Sequence, residues 1–172
     1  MSLHFEEIAT ARCRIAPLQP PDAAELQAIT DETVTSAIHF LPEPFTLADA
    51  RALIGQNGAE NQFLGIRRQG DGDLLGVIGV HSRSGRSIEI GYWLAAAARG
   101  RGFAQETVRE VIARLSAQSP GRLIVAECHP ANTSSWALLR SLGFFPTGKA
   151  GERPGRALLA WHANASARID VC

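Results

Sequence analysis

The sequence predicts a single α+β domain spanning 1–172, a mostly antiparallel sheet flanked by helices with its core at about 12–163. Three observations carry that prediction. The apolar runs NQFLGIRRQ, DLLGVIGVHSR and RSIEIGYWLA follow one another across only the turn-like QGDGD and RSGR, spacings that suit hairpins and exclude helical crossovers. Amphipathic helical segments lie before and after this meander, not within it. The 172 residues, 45% hydrophobic and 20% charged, match one ordinary globular core that needs neither metal nor disulfide to hold it.

The elements follow in order. RCRIAPL at 12–18 reads as a strand, and Pro20, Pro21 and Asp22 start a helix whose stripe is Ala23, Leu26 and Ile29. A further helical stretch is expected to end near Phe40, where Pro42 and Pro44 force a surface loop. Thr46 is placed to cap LADARALIGQ, with Leu47, Ala50, Leu53 and Ile54 as its apolar face. After the meander, Val108, Val111, Ile112 and Leu115 mark the clearest helix, closed by Ser119, Pro120 and Gly121. RLIVAECH is a buried strand, Asn132 an N-cap, TSSWALLRSL a helix ended by Gly143, and FFPTG and RALLAWH are the last strands. The tail at 164–172 is expected to be loosely ordered.

Composition narrows the function. Cys13, Cys128 and Cys172 are odd in number, far apart and without CxxC or His spacing, so the expectation is a reduced, cytoplasmic protein with no metal. The N-terminus lacks a basic signal region and no apolar run has the ~18 residues of a membrane span. Seventeen cations balance seventeen anions, so no global field attracts nucleic acid. Lys149 is the only lysine; an arginine-rich chain suits phosphate and carboxylate, although high-GC codon usage produces the same bias.

The most informative stretch is ARGRGFA at 98–104, between a strand and the clearest helix. A helix start carries unpaired amides and a positive dipole end, and Gly100 and Gly102 let the backbone close on an anion. A plain strand-to-helix turn is the competing reading. A Walker loop is excluded because no lysine and hydroxyl stand where it needs them, and a dinucleotide fingerprint because Gln105 occupies its third glycine and a meander precedes it.

Arg99, Gly100, Arg101, Gly102, Phe103 and Ala104 fit [QR]xxGx[GA], which resembles the pyrophosphate loop of the GCN5-related N-acetyltransferases (GNAT). IEIGYWLAAAARGRGFAQE, NTSSWALLRSLGFF and LPEPFTLADARALI extend the resemblance over most of the chain, toward the RimJ/RimL branch. It implies splayed central parallel strands forming a coenzyme A cleft. Acetyl-CoA is then the co-substrate, held by the amides and arginines of 99–104 and, through pantetheine, by backbone groups of Trp93 and Leu94. Asn132 contacts the pantetheine or sulfur region in that family, and would cap its helix in any case.

Alternation puts Glu89, Gly91 and Trp93 on one strand face. Glu89 is a carboxylate in an apolar strand, either the base that takes the amine proton or a salt-bridge partner of an arginine. The family's frequent general-acid tyrosine is replaced by Leu139. Ser135, one turn earlier, matches the serine that holds the coenzyme sulfur in the RimJ/RimL branch; supporting the cap is its other reading. The resemblance therefore implies direct acetyl transfer in a ternary complex to a primary amine. An α-amine at a peptide N-terminus is favoured over lysine because it titrates near ~8; a small-molecule amine also fits. A non-catalytic acyl-CoA sensor is the alternative, and a homodimer is common in the family.

Overall fold

The computed structural model describes residues 3–84 and 86–163; Cys172 and the expected loose tail lie outside them. The chain runs β1 (Ile8–Ala9), β2 (Cys13–Pro17), α1 (Ala23–Ile29), α2 (Glu32–Thr35), α3 (Leu47–Ile54), β3 (Asn61–Arg68), β4 (Leu74–Arg83) and β5 (Ser87–Leu94). It continues α4 (Phe103–Gln118), β6 (Leu123–Cys128), α5 (Thr133–Ser141), β7 (Phe144–Ala150) and β8 (Ala157–Trp161). The strands form one sheet in the order β1-β2-β3-β4-β5-β6-β8-β7. The pair β5–β6 is parallel and the others are antiparallel.

Both faces are covered, which is why β3, β4 and β5 read as nearly continuous apolar runs. On one face Ile88, Ile90 and Leu94 pack with Val108, Val111, Ile112 and Leu115 of α4 and with Leu139 of α5. On the other, Trp93, Val77 and Phe63 pack with Leu26 of α1, Val34 of α2 and Leu53 of α3. The helix expected to reach Phe40 stops at Thr35. Asp31 caps it through Thr33 N at 3.0 Å and Val34 N at 3.3 Å, but Thr33, Val34 and Thr35 are poor helix formers.

β4 and β5 approach so closely at Gly76 that an added Cβ would sit 2.4 Å from the Trp93 carbonyl oxygen and 2.5 Å from Leu94 Cδ2. Backbone cannot yield there as a side chain does. Gly76→Ala is therefore expected to cost about 1–3 kcal/mol, as overpacking does, and denaturant melts of the two proteins measure it; equal midpoints would contradict the close contact.

Candidate active site

The parallel ladder is short: Ser87, Ile88 and Glu89 face Leu123, Ile124 and Val125. Beyond it β5 stays with β4 while β6 stays with β8, so the two strands open into a V. Alternation along β5 decides which backbone groups line this gap. Arg86 carbonyl accepts from Leu123 N at 3.0 Å on the β6 side, and Ala95 N donates to Leu75 carbonyl at 2.8 Å on the β4 side. Tyr92 and Leu94 therefore turn their N–H and C=O toward the gap. This corrects the expectation for Trp93, whose backbone groups face β4. The Leu94 carbonyl accepts from Arg99 Nε at 3.2 Å, which leaves the Leu94 N–H to the gap.

A 3₁₀ turn at Ala96–Ala98 leads to the glycine loop at the mouth of the V. Gly100 and Gly102 are both left-handed, with φ of 70° and 80°, the conformation that glycine alone adopts without strain. Gly102 has no side chain with which to cap α4, and the amides of 100–105 make no hydrogen bond among the described residues. The result is a row of open donors on a helix N-terminus, suited to an anion. Phe103 is a buried plug and Ala104 is half-buried against the same core.

The arginines of this loop do not form a free rim. Arg99 Nη2 donates to Thr33 Oγ1 at 2.8 Å, tying the loop to α2, and the Arg101 guanidinium lies 5.2 Å from the Phe103 ring centre. The loop is instead braced by Arg12, which the sequence reading did not single out. Arg12 Nη1 donates to the Arg101 carbonyl at 2.9 Å, its Nε donates to Glu106 Oε2 at 2.7 Å, and its guanidinium lies 4.4 Å over Phe103. No local pattern marks it, because its partners lie 89 and 94 residues away.

Asn132 and Ser135 stand on the opposite wall. Asn132 Oδ1 accepts from Ser135 N at 3.2 Å, so Asn132 is a cap. Ser135 Oγ lies 2.9 Å from the Tyr92 hydroxyl, across from β5.

Glu89 is buried on the face that carries Trp93, and both of its oxygens are engaged. Oε2 accepts from Arg83 Nε at 2.7 Å, and Oε1 accepts from Arg153 Nη2. Arg153 also reaches Glu127 Oε2 through Nε at 3.3 Å, and Glu127 accepts from the amide of Glu152 at 2.6 Å. Glu89 is thus the centre of a charge network joining β4, β5, β6 and the β7–β8 connection. Arg153 and Glu127 were also not singled out from sequence. His81, opposite Glu89 on β4, donates through Nδ1 to Asn61 Oδ1 at 2.9 Å and meets Phe63 edge-on at 5.2 Å. The Trp93 indole N–H is buried with no acceptor among the described residues. Among those residues no group of three potential metal-binding side chains occurs, and no helix is long and apolar enough to cross a membrane.

Burial, helped by Arg83 and Arg153, lowers the His81 pKa from 6.5 to about 4. A base with a depressed folded pKa stays neutral in the native state while the unfolded chain binds a proton, so stability falls as pH drops from about 6.5 toward 4. Between pH 6.5 and 5, above the carboxylate range, a loss of about 2 kcal/mol is expected. His81→Gln should flatten it in denaturant melts; a wild-type protein equally stable at both pH values would contradict the burial.

The acetyltransferase (GNAT) domain model matches residues 12–145. The uncharacterized N-acetyltransferase p20 of Bacillus licheniformis is 32% identical over 151 residues, covering 81% of this chain and 83% of its own. A GNAT-family acetyltransferase from Bacillus anthracis superposes with a TM-score of 0.78 at 23% identity, over 90% of this chain and 97% of the other. The ribosomal L7/L12 α-N-protein acetyltransferase RimL, solved with coenzyme A, superposes with a TM-score of 0.80 at 18% identity, over 93% and 99%. With the domain model spanning the V, the glycine loop and α5, the chain belongs to the GNAT family of acetyltransferases.

Proposed function

We propose that the protein transfers the acetyl group of acetyl-CoA directly to a primary amine, with a peptide N-terminal α-amine as the favoured acceptor. The observation that carries this reading is the V between β5 and β6 with the open amides of 100–105 at its mouth. The pyrophosphate would sit on those amides, and the pantetheine would lie along β5 as an added strand against Tyr92 and Leu94. Asn132 and Ser135 would face its sulfur end. Arg99 and Arg101 would add positive charge near the phosphates, and Phe103 and Ala104 would hold the loop on the core. RimL, a fold neighbour, is by its description an α-N-protein acetyltransferase, which fits an α-amine acceptor here.

The chemistry needs a neutral amine, a polarised thioester carbonyl and a stabilised leaving thiolate. An α-amine with a pKa near ~8 supplies a neutral fraction at neutral pH without a strong base. In this reading Glu89 anchors Arg83 and Arg153 beside the acceptor path, and the amine proton leaves through water. Glu89 is the second acceptor in reach for that proton, through the lone pairs the two arginines leave.

Thermal shift with coenzyme A and acetyl-CoA, followed by thiol release with N-terminal peptides and small amines, tests the proposal. Stabilisation by both ligands and turnover with peptides are expected. Stabilisation without turnover on any amine would leave a non-catalytic sensor, and no stabilisation would overturn the coenzyme site. Glu89→Gln is expected to melt lower while keeping the acid limb of the wild-type pH profile; loss of that limb would make Glu89 the base.

A further inference from the structure

Among the described residues, a pair of hydroxyls links β5 to α5 beside the gap between β5 and β6. Tyr92 extends from β5 to the first turn of α5, where its hydroxyl lies 2.9 Å from Ser135 Oγ and 3.5 Å from the Ser135 carbonyl. Tyr92 is half-buried against the α4 and α5 core, and Cys128 is buried in the same cluster at the end of β6. We propose that Tyr92 is a positioning residue for the leaving group: its O–H donates to Ser135 Oγ and so directs the serine proton into the gap, toward the coenzyme sulfur.

This rests on the acetyl-CoA reading above. A serine hydroxyl has one proton and two lone pairs. In the first turn of a helix that proton is readily spent on a nearby backbone carbonyl. A phenol is the stronger acid of the two hydroxyls, so it donates and serine accepts. The serine O–H, polarised by that bond, is then the better donor to an anion. As the amine nitrogen attacks the thioester carbon, the C–S bond breaks with its electron pair on sulfur, and the Ser135 O–H meets that charge. No proton leaves Tyr92. Burial pushes its phenol up to about 12, so it stays a donor across the working pH range. Ser135 also reaches the Cys128 sulfur, but burial raises that thiol, so it stays protonated, a weak acceptor that leaves the serine proton to a thiolate and a poor acyl acceptor itself.

Calorimetry with coenzyme A and desulfo-coenzyme A at pH 9, where part of the coenzyme's thiol is ionised, reads the sulfur contact without turnover. Wild type should bind coenzyme A about tenfold or more tightly than the desulfo analogue, the scale of one hydrogen bond to a charged group. Tyr92→Phe keeps the ring in the core and should lose most of that preference, with kcat for acetyl-CoA down about tenfold and KM unchanged. Combining it with Ser135→Ala should lower kcat no further than Ser135→Ala alone, because the two act as a unit. Full sulfur preference and full kcat in Tyr92→Phe would overturn the inference, as would losses that multiply in the double variant. Failure of wild type to bind coenzyme A at all would instead overturn the coenzyme site, and this inference with it.

Discussion

The site depends on where the parallel pairing of β5 and β6 ends. Three residue pairs, up to Glu89 and Val125, hold the strands together. Past that point each strand is held by its outer neighbour: β5 by β4 through Leu94, and β6 by β8 through Cys128. Apart from the Leu94 carbonyl, which Arg99 holds, backbone N–H and C=O groups on the inner edges past this point have no partner among the described residues, a condition that sheets normally avoid. An extended chain bearing amides satisfies them, and the pantetheine arm of coenzyme A is such a chain. On one side of the sheet the split is tied by the Glu89–Arg153–Glu127 network, and on the other by Tyr92 and Ser135.

The two ties have different physics. The carboxylates of Glu89 and Glu127 are nearly inaccessible, whereas Arg83 and Arg153 keep side-chain exposures of 38% and 25%. Burying charge without partners is costly, so the network survives because each carboxylate meets guanidinium or amide donors. It fixes geometry more than it adds stability. The hydroxyl pair is weaker and neutral, which in the proposed reaction leaves it free to respond when charge develops on sulfur. The glycine loop is a third arrangement: left-handed Gly100 and Gly102 leave amides open, while Arg12 and Thr33 brace the loop from outside.

Much of this was legible in the sequence because it is local. The meander, the α4 stripe and the Asn132 cap follow from period and capping chemistry. What stayed hidden depends on contacts between distant segments. Arg12 reaches Glu106, and Arg153 reaches Glu89 across 64 residues; nothing near either arginine in the sequence names its partner. Glu89 could be read as base or salt-bridge partner until its neighbours were placed, and their placement engaged both oxygens. The direction of the Trp93 backbone required the pairing register on both sides of β5, which apolar periodicity alone does not encode. The short α2 was overextended because its apolar positions outlast its propensity.

Hydrogen–deuterium exchange of the whole protein, with and without coenzyme A, tests the central claim most directly, since it reads the backbone groups themselves. The account predicts slowed exchange at the amides of Tyr92, Leu94 and residues 100–105 when coenzyme A binds, with the β4–β5 ladder unchanged. Binding that protects other segments and leaves these amides exchanging at the free rate would contradict it.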